Sequence, residues 1–183
     1  MADTERYTDH DLMARFRGGD REAFTALYRT HSPAVFRFAL HMAGDRAKAA
    51  ELTQDVFVWL IHHTSDFDPK RGGLGAYLAG VARKFLLRQQ QGKRRWVPLD
   101  ERTASPHRAD GGVETAEVRN AVASLPVRYR EAVVLCDLEG KSYQEAATML
   151  GCATGTVKSR LHRARELLGR KLQGNRERQR CAI

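Results

Sequence analysis

Between Trp96 and Gly112 the 183-residue chain loses its periodicity, and this break constrains the fold more than any other feature. Pro98, Pro106, Gly111 and Gly112 lie there among mixed charges, a composition that sustains neither helix nor strand. On either side apolar residues return every three or four positions, and no run of alternating β-branched residues appears. The expected fold is therefore all-α: two small helical domains, residues 8–95 and 113–172, joined by a flexible linker at 96–112. A polar, disordered tail is expected at 173–183. Such a linker leaves the placement of one domain relative to the other unfixed.

Local signals divide each half into helices. Thr8 is placed to cap a first helix to Phe16, stopped by Gly18-Gly19. Asp20 can cap a second, carrying Phe24, Leu27 and Tyr28, with Ser32-Pro33 as a break or kink before the pattern resumes from Val35 to Gly44. Asp45 opens a helix to about His62, with Leu52, Val56, Trp59 and Leu60 as its apolar stripe. The turn-rich segment His63–Gly73 then leads into a helix from Leu74 to about Gln91. Beyond the linker, Val113–Ala123 and Arg128–Leu138 read as helices separated by Leu125-Pro126. Ser142 and Glu145 have capping-box spacing for a short helix to Leu150. Gly151 ends it, and Thr154 is placed to cap a last helix to about Leu172.

Charge narrows the function. Lys+Arg number 31 against 22 Asp+Glu, a net charge of +9, and the excess is clustered. Between Pro69 and Leu99 lie Lys70, Arg71, Arg83, Lys84, Arg88, Lys93, Arg94 and Arg95, with no acid. Between Lys158 and Arg180 only Glu166 and Glu177 interrupt a second basic run. Two separate positive patches point to two contacts with a polyanion, most simply nucleic acid. Solvated helix ends that favour the helix dipole are the competing explanation.

Several classes are disfavoured. Hydrophobic residues make up 42% of the chain, too many for a wholly disordered protein. No apolar run approaches the roughly 18–20 residues of a spanning helix, so no direct membrane insertion is expected. The polar, acidic start Met-Ala-Asp-Thr-Glu-Arg resembles no signal or transit peptide, and a cytoplasmic location is expected. Cys136, Cys152 and Cys181 form no C-x-x-C pair and suit a reducing compartment, and the terminal Cys-Ala-Ile is one residue short of a prenylation box. His62 and His63 diverge on a helix, and no H-E-x-x-H, Gly-rich phosphate loop or supported nucleophile triad occurs. No metal, no cofactor and no enzymatic activity are expected.

Residues 142–168 have helix-turn-helix arithmetic: a capped short helix, a tight turn at Gly151 and a long second helix. At about 100° per residue, Val157, Leu161, Ala164 and Leu168 fall within an arc of about 60° and form a buried stripe. Ser159, His162 and Glu166 point nearly the opposite way, with Lys158 and Arg163 on their flanks. Short polar and long cationic side chains on a free helix face suit base edges and phosphates.

These residues also carry a resemblance. Leu125–Ala147 and Gly155–Leu168 resemble region four of bacterial extracytoplasmic-function sigma factors. Gly19–Phe24, Ala50–Phe57, Phe67–Gly72 and Ala76–Arg83 are similar to region two of the same family, and the likeness covers about residues 8–172. It implies a dissociable subunit of bacterial RNA polymerase, with promoter DNA as its target. Region two would hold the polymerase core and melt the minus-ten element. Region four would read the minus-thirty-five element, and an anti-sigma factor would regulate both.

The resemblance assigns Glu51, Gln54 and Asp55 to core-polymerase binding. It assigns the loop at Phe67 and the following helix to the minus-ten element, with Phe67 as a stacking surface or a loop anchor. Lys70, Arg71, Arg83, Lys84 and Arg88 would supply phosphate contacts there. Lys158, Ser159, His162 and Arg163 would face the minus-thirty-five element. Two positions depart from the family: Tyr77 stands where Trp is frequent, and Lys84, a donor-only cation, where Asn or Asp is frequent. Two other readings compete, an operator-binding helix-turn-helix regulator and an RNA-binding or adaptor protein without promoter specificity. Co-purification with polymerase core separates them from a sigma factor.

Overall fold

A computed structural model describes residues 7–94 and 113–180; the linker expected at 96–112 lies outside the described residues. Among those residues every regular element is helical.

The N-terminal unit contains α1 (Asp9–Arg17), α2 (Arg21–Ala43), α3 (Arg46–His62) and α4 (Leu74–Arg94). Its helix starts follow local chemistry. Thr8 and Asp11 form a reciprocal capping box, with Asp11 N–H donating to Thr8 Oγ1 at 3.2 Å and Thr8 N–H to Asp11 Oδ2 at 3.1 Å. Asp20 accepts from the amides of Glu22 and Ala23, and Asp45 from that of Lys48.

Of the break or kink expected at Ser32-Pro33, the break is absent, since α2 runs through it. Pro33 lacks the N–H that would bond the Arg29 carbonyl, a cost of about 3 kcal/mol. Leu27, Val35, Phe38 and Met42 are buried on both sides of it, each contributing roughly 1.5–3 kcal/mol, so burial outweighs the lost bond.

The C-terminal unit contains α5 (Val113–Ala123), α6 (Val127–Val133), α7 (Tyr143–Leu150) and α8 (Thr154–Arg180). The segment expected as one helix to Leu138 leaves α-geometry after Val133. Val134–Leu138 winds into a π turn, with Glu139 N–H donating to the Val134 carbonyl at 2.9 Å. Because α2 and α7 enclose this turn, Val133, Val134 and Leu135 are all buried in succession.

Two other expectations give way here. Thr154 does not cap α8: the Ala153 carbonyl accepts the first helical bonds, from Thr156 and Val157. The Thr154 hydroxyl instead bonds Gln144 Oε1 at 3.1 Å, tying α8 to α7. The tail expected to be disordered continues α8 to Arg180. Extending an existing helix needs no new nucleus, and Arg, Glu and Gln are good helix formers.

The units are not independently placed. α4 packs on α7, and α2 on α5, α6 and the π turn, so one hydrophobic cluster runs through both cores. Polar contacts reinforce this docking, including Arg130 Nη1 donating to the Met42 carbonyl at 2.8 Å.

Candidate nucleic-acid interface

The outer face of α8 is assembled by one helix over its own core. Val157, Leu161 and Ala164 are buried and Leu168 half-buried, as the stripe requires. Lys158, Ser159, His162 and Arg163 are exposed together on the outer side. Neighbours hold the ends of this face. Lys158 Nζ lies 5.8 Å from the Tyr143 ring centroid, and His162 Nε2 3.4 Å from Glu166 Oε1. A hydrogen bond with the Arg163 guanidinium holds the Tyr129 hydroxyl below its ordinary pKa. Arg165 pairs with Asp137 at 2.6 Å, fixing α8 to the end of the π turn.

The N-terminal unit builds its surface from several elements. The loop after α3 contains two short 3-10 turns, Thr64–Asp66 and Pro69–Arg71, the second capped by Asp68 accepting from the Lys70 amide. From α1, the Arg17 guanidinium donates to the Thr64 and Phe67 carbonyls at 2.6 and 2.8 Å, pinning the loop. Between this loop, α3 and α4 lies a cleft of about 350 Å³ whose lining includes Trp59, Phe67, Arg71, Tyr77 and Lys84. Trp59 Nε1 donates to Tyr77 Oη at 3.3 Å, its ring stacks on His63 at 3.5 Å, and Lys84 Nζ stands 5.2 Å from its centroid. An aromatic wall beside Arg71 and Lys84 suits an unstacked base and its phosphate.

The structure separates the residues grouped from the sequence. Arg71 and Lys84 border the cleft, and exposed Lys70 lies beside Arg71 in the same turn. Phe67 is not an exposed stacking surface: only 4% of it is accessible, and its ring packs on Tyr77 with centroids 5.6 Å apart. A large apolar ring in a polar loop is drawn inward, and here it anchors the loop.

Arg83 is not free for phosphate in this arrangement, because it forks onto Glu131 of α6 at 2.7 and 3.3 Å. Arg88 borders a second concavity with Asp55, Val58, Trp59 and His62, apart from the cleft. Lys84 and Arg88 share a face of α4 as an i, i+4 pair, and the rise of about one turn between them carries Arg88 past the cleft.

Glu51, Gln54 and Asp55 are all exposed on the face of α3 opposite Leu52, Val56 and Leu60. Val58 and Ile61 extend that exposed surface with apolar area. Sequence reasoning assigned Trp59 only to a core stripe, yet it borders both concavities. The available signal was its indole N–H, which needs a polar partner and so favours the edge of a core.

Comparison with known proteins follows this geometry. Residues 27–95 match the family described as Sigma-70 region 2, and residues 115–168 match Sigma-70, region 4. The chain is 32% identical to the ECF RNA polymerase sigma factor SigE of Mycolicibacterium smegmatis, covering 92% of this chain and 74% of that protein. It is 34% identical to the ECF RNA polymerase sigma factor SigM of Mycobacterium tuberculosis, covering 90% and 85% respectively. A solved structure of the sigma factor RpoE, in complex with the anti-sigma factor NepR from Bartonella quintana, has a TM-score of 0.69 to this chain. It is 28% identical and covers 82% of this chain and 96% of its own. The two family matches fall on the two helical units in order, and the chain belongs to the ECF RNA polymerase sigma factors.

Proposed function

We propose that this sigma factor divides promoter recognition between its units as residues 8–95 and 113–172. The exposed face of Glu51, Gln54 and Asp55 docks on the polymerase core, where its carboxylates meet a basic surface. Trp59 and Tyr77 receive an unstacked base of the minus-ten element, while Lys70, Arg71 and Lys84 hold its backbone. Phe67 positions the loop from below. Lys158, Ser159, His162 and Arg163 enter the major groove of the minus-thirty-five element. The linker passes between the units, the chain itself catalyses no reaction, and it acts in the cytoplasm. An anti-sigma factor that masks these surfaces controls it.

The observation supporting this division is that two differently built surfaces, an aromatic-cationic cleft and an open helix face, occur in one chain with the family's domain order. Run-off transcription with core polymerase and a pooled promoter library tests it. Lys84→Ala should impair opening near the start site, and Arg163→Ala should change selection upstream. If both variants shift the same promoter element, the division fails.

A further inference from the structure

We infer that Arg17 is a positioning residue for minus-ten recognition, so that base selection there depends on α1, a helix that precedes the region 2 match. This rests on assigning the cleft to the minus-ten element, and it concerns what holds that site in shape.

The loop between α3 and α4 supplies much of the cleft wall, namely Asp66, Phe67, Asp68, Arg71, Gly72 and Gly73. Its own main-chain bonds stay within one short turn or the other. Asp66 N–H donates to the His63 carbonyl in the first turn. Arg71 N–H donates to the Asp68 carbonyl, and Gly72 N–H to that of Pro69, in the second. Among the described residues no main-chain bond joins the two turns.

Arg17 supplies that junction from outside the loop. Its Nη2 donates to the Thr64 carbonyl at 2.6 Å and to the Phe67 carbonyl at 2.8 Å, and its Nε to Thr64 at 3.0 Å. Thr64 belongs to the first turn, and Phe67 runs directly into Asp68, which caps the second. One planar fork therefore sets the spacing between the turns. Bonds from an ionised donor are also about twice as strong as neutral ones.

The guanidinium can act as a fixed post because α1 is itself held. Leu12 and Met13 are buried where α1 packs on α2. Asp9 Oδ1 lies 2.8 Å from His31 Nε2, and Arg15 Nη2 lies 2.7 Å from Asp20 Oδ2, so both ends of the helix are tied.

The loop has two other anchors, the buried Phe67 ring and the Asp68 cap, and neither spans the turns. Loss of Arg17 leaves both anchors in place and frees the turns to move against each other. Arg71 and the rest of the wall would then shift relative to Trp59 and Tyr77, where a functional geometry tolerates only about 0.5 Å. Arg17 touches no DNA in this scheme and acts through the loop alone.

The test uses the full chain with core polymerase, as wild type, Arg17→Gln and Arg17→Lys. A promoter library randomised in both elements is read by run-off transcription, with permanganate reactivity reporting melted thymines. Arg17→Gln should lower discrimination among minus-ten bases by about tenfold, the worth of one or two hydrogen bonds from a charged donor. Discrimination at the minus-thirty-five element should not change. Arg17→Lys should recover only part of the loss, because an ammonium lacks the fork. Circular dichroism and capture by core should match wild type, since Arg17 is exposed. If Arg17→Gln does not fold, Arg17→Lys decides. A uniform fall in output with minus-ten preferences kept would overturn the positioning role, and so would wild-type behaviour in both variants. Lys84→Ala in the same library separates this from the reading beneath it. If Lys84→Ala leaves minus-ten selection and melting untouched, the assignment of the cleft fails. A Lys84→Ala defect beside normal Arg17 variants overturns the positioning role alone.

Discussion

The two surfaces proposed to meet DNA are built in opposite ways. The α8 face belongs to one helix, over a stripe of Val157, Leu161 and Ala164 that no other function claims. Its four outer residues are exposed on that one helix. The cleft of the N-terminal unit is composite, drawing Trp59 from α3, Arg71 from the loop, Tyr77 and Lys84 from α4, and Met149 from the other unit. A surface made by one helix is specified by local periodicity. One made by several elements depends on their docking, and so can be regulated by it.

The largest test of this contrast removes core volume from each side. Leu161→Ala and Leu60→Ala should each destabilise by roughly 2–5 kcal/mol, since both side chains are almost fully buried. Because one hydrophobic cluster spans the halves and α8 joins it through Val157 and Ala164, both should lower the same cooperative transition in denaturant titrations. Two separate transitions would show instead that the halves unfold independently.

Arg163→Ala probes the open surface directly. It should cost about 1–3 kcal/mol in promoter binding and relax selection at one upstream base. Templates mutated base by base provide the check, and uniform weakening would assign Arg163 to phosphate. Ser142→Ala should cost about 1 kcal/mol by removing the α7 capping box, with Thr8→Ala as its counterpart on α1.

The acid partner in each box makes this cost pH-dependent. Hydrogen bonds from the Ser142 hydroxyl and amide hold Glu145 below the usual carboxylate pKa. That stabilisation is present above the unfolded carboxylate pKa and is lost as pH falls through the folded value. Urea melts at neutral and acidic pH should show the Ser142→Ala deficit shrinking in acid.

The smallest effect on stability is expected at the α3 face proposed to meet polymerase. Glu51→Arg with Asp55→Arg should change folding by only about 0.5 kcal/mol each, because both are exposed. Capture by immobilised core should nonetheless fall sharply. Undiminished capture would remove this face of α3 from the interface.

Helix starts were legible because Thr8, Asp20, Asp45 and Ser142 cap through short-range bonds to their own helices. The α8 stripe was legible for the same reason, its period. No break formed at Pro33 because a local cost was overridden by burial on both sides. Thr154 misled because its hydroxyl found Gln144 on another helix. Arg83 was read as a phosphate ligand, but its partner Glu131 is 48 residues away, beyond any periodic signal. Phe67 was identifiable as an anomaly in a polar loop, yet only packing decided whether its ring faced water or Tyr77.

The reach of Arg17 bears on where a gene may safely be cut. The family match to region 2 begins at residue 27, leaving α1 outside it. A fragment starting there would lack the guanidinium that gathers the Thr64 and Phe67 carbonyls. It would also lack Phe16 and Phe24, whose rings pack 5.0 Å apart. The helices that carry the cleft would remain in such a fragment, but its loop would be untethered on the side facing α1. The smallest portable version of this N-terminal unit therefore begins at Thr8.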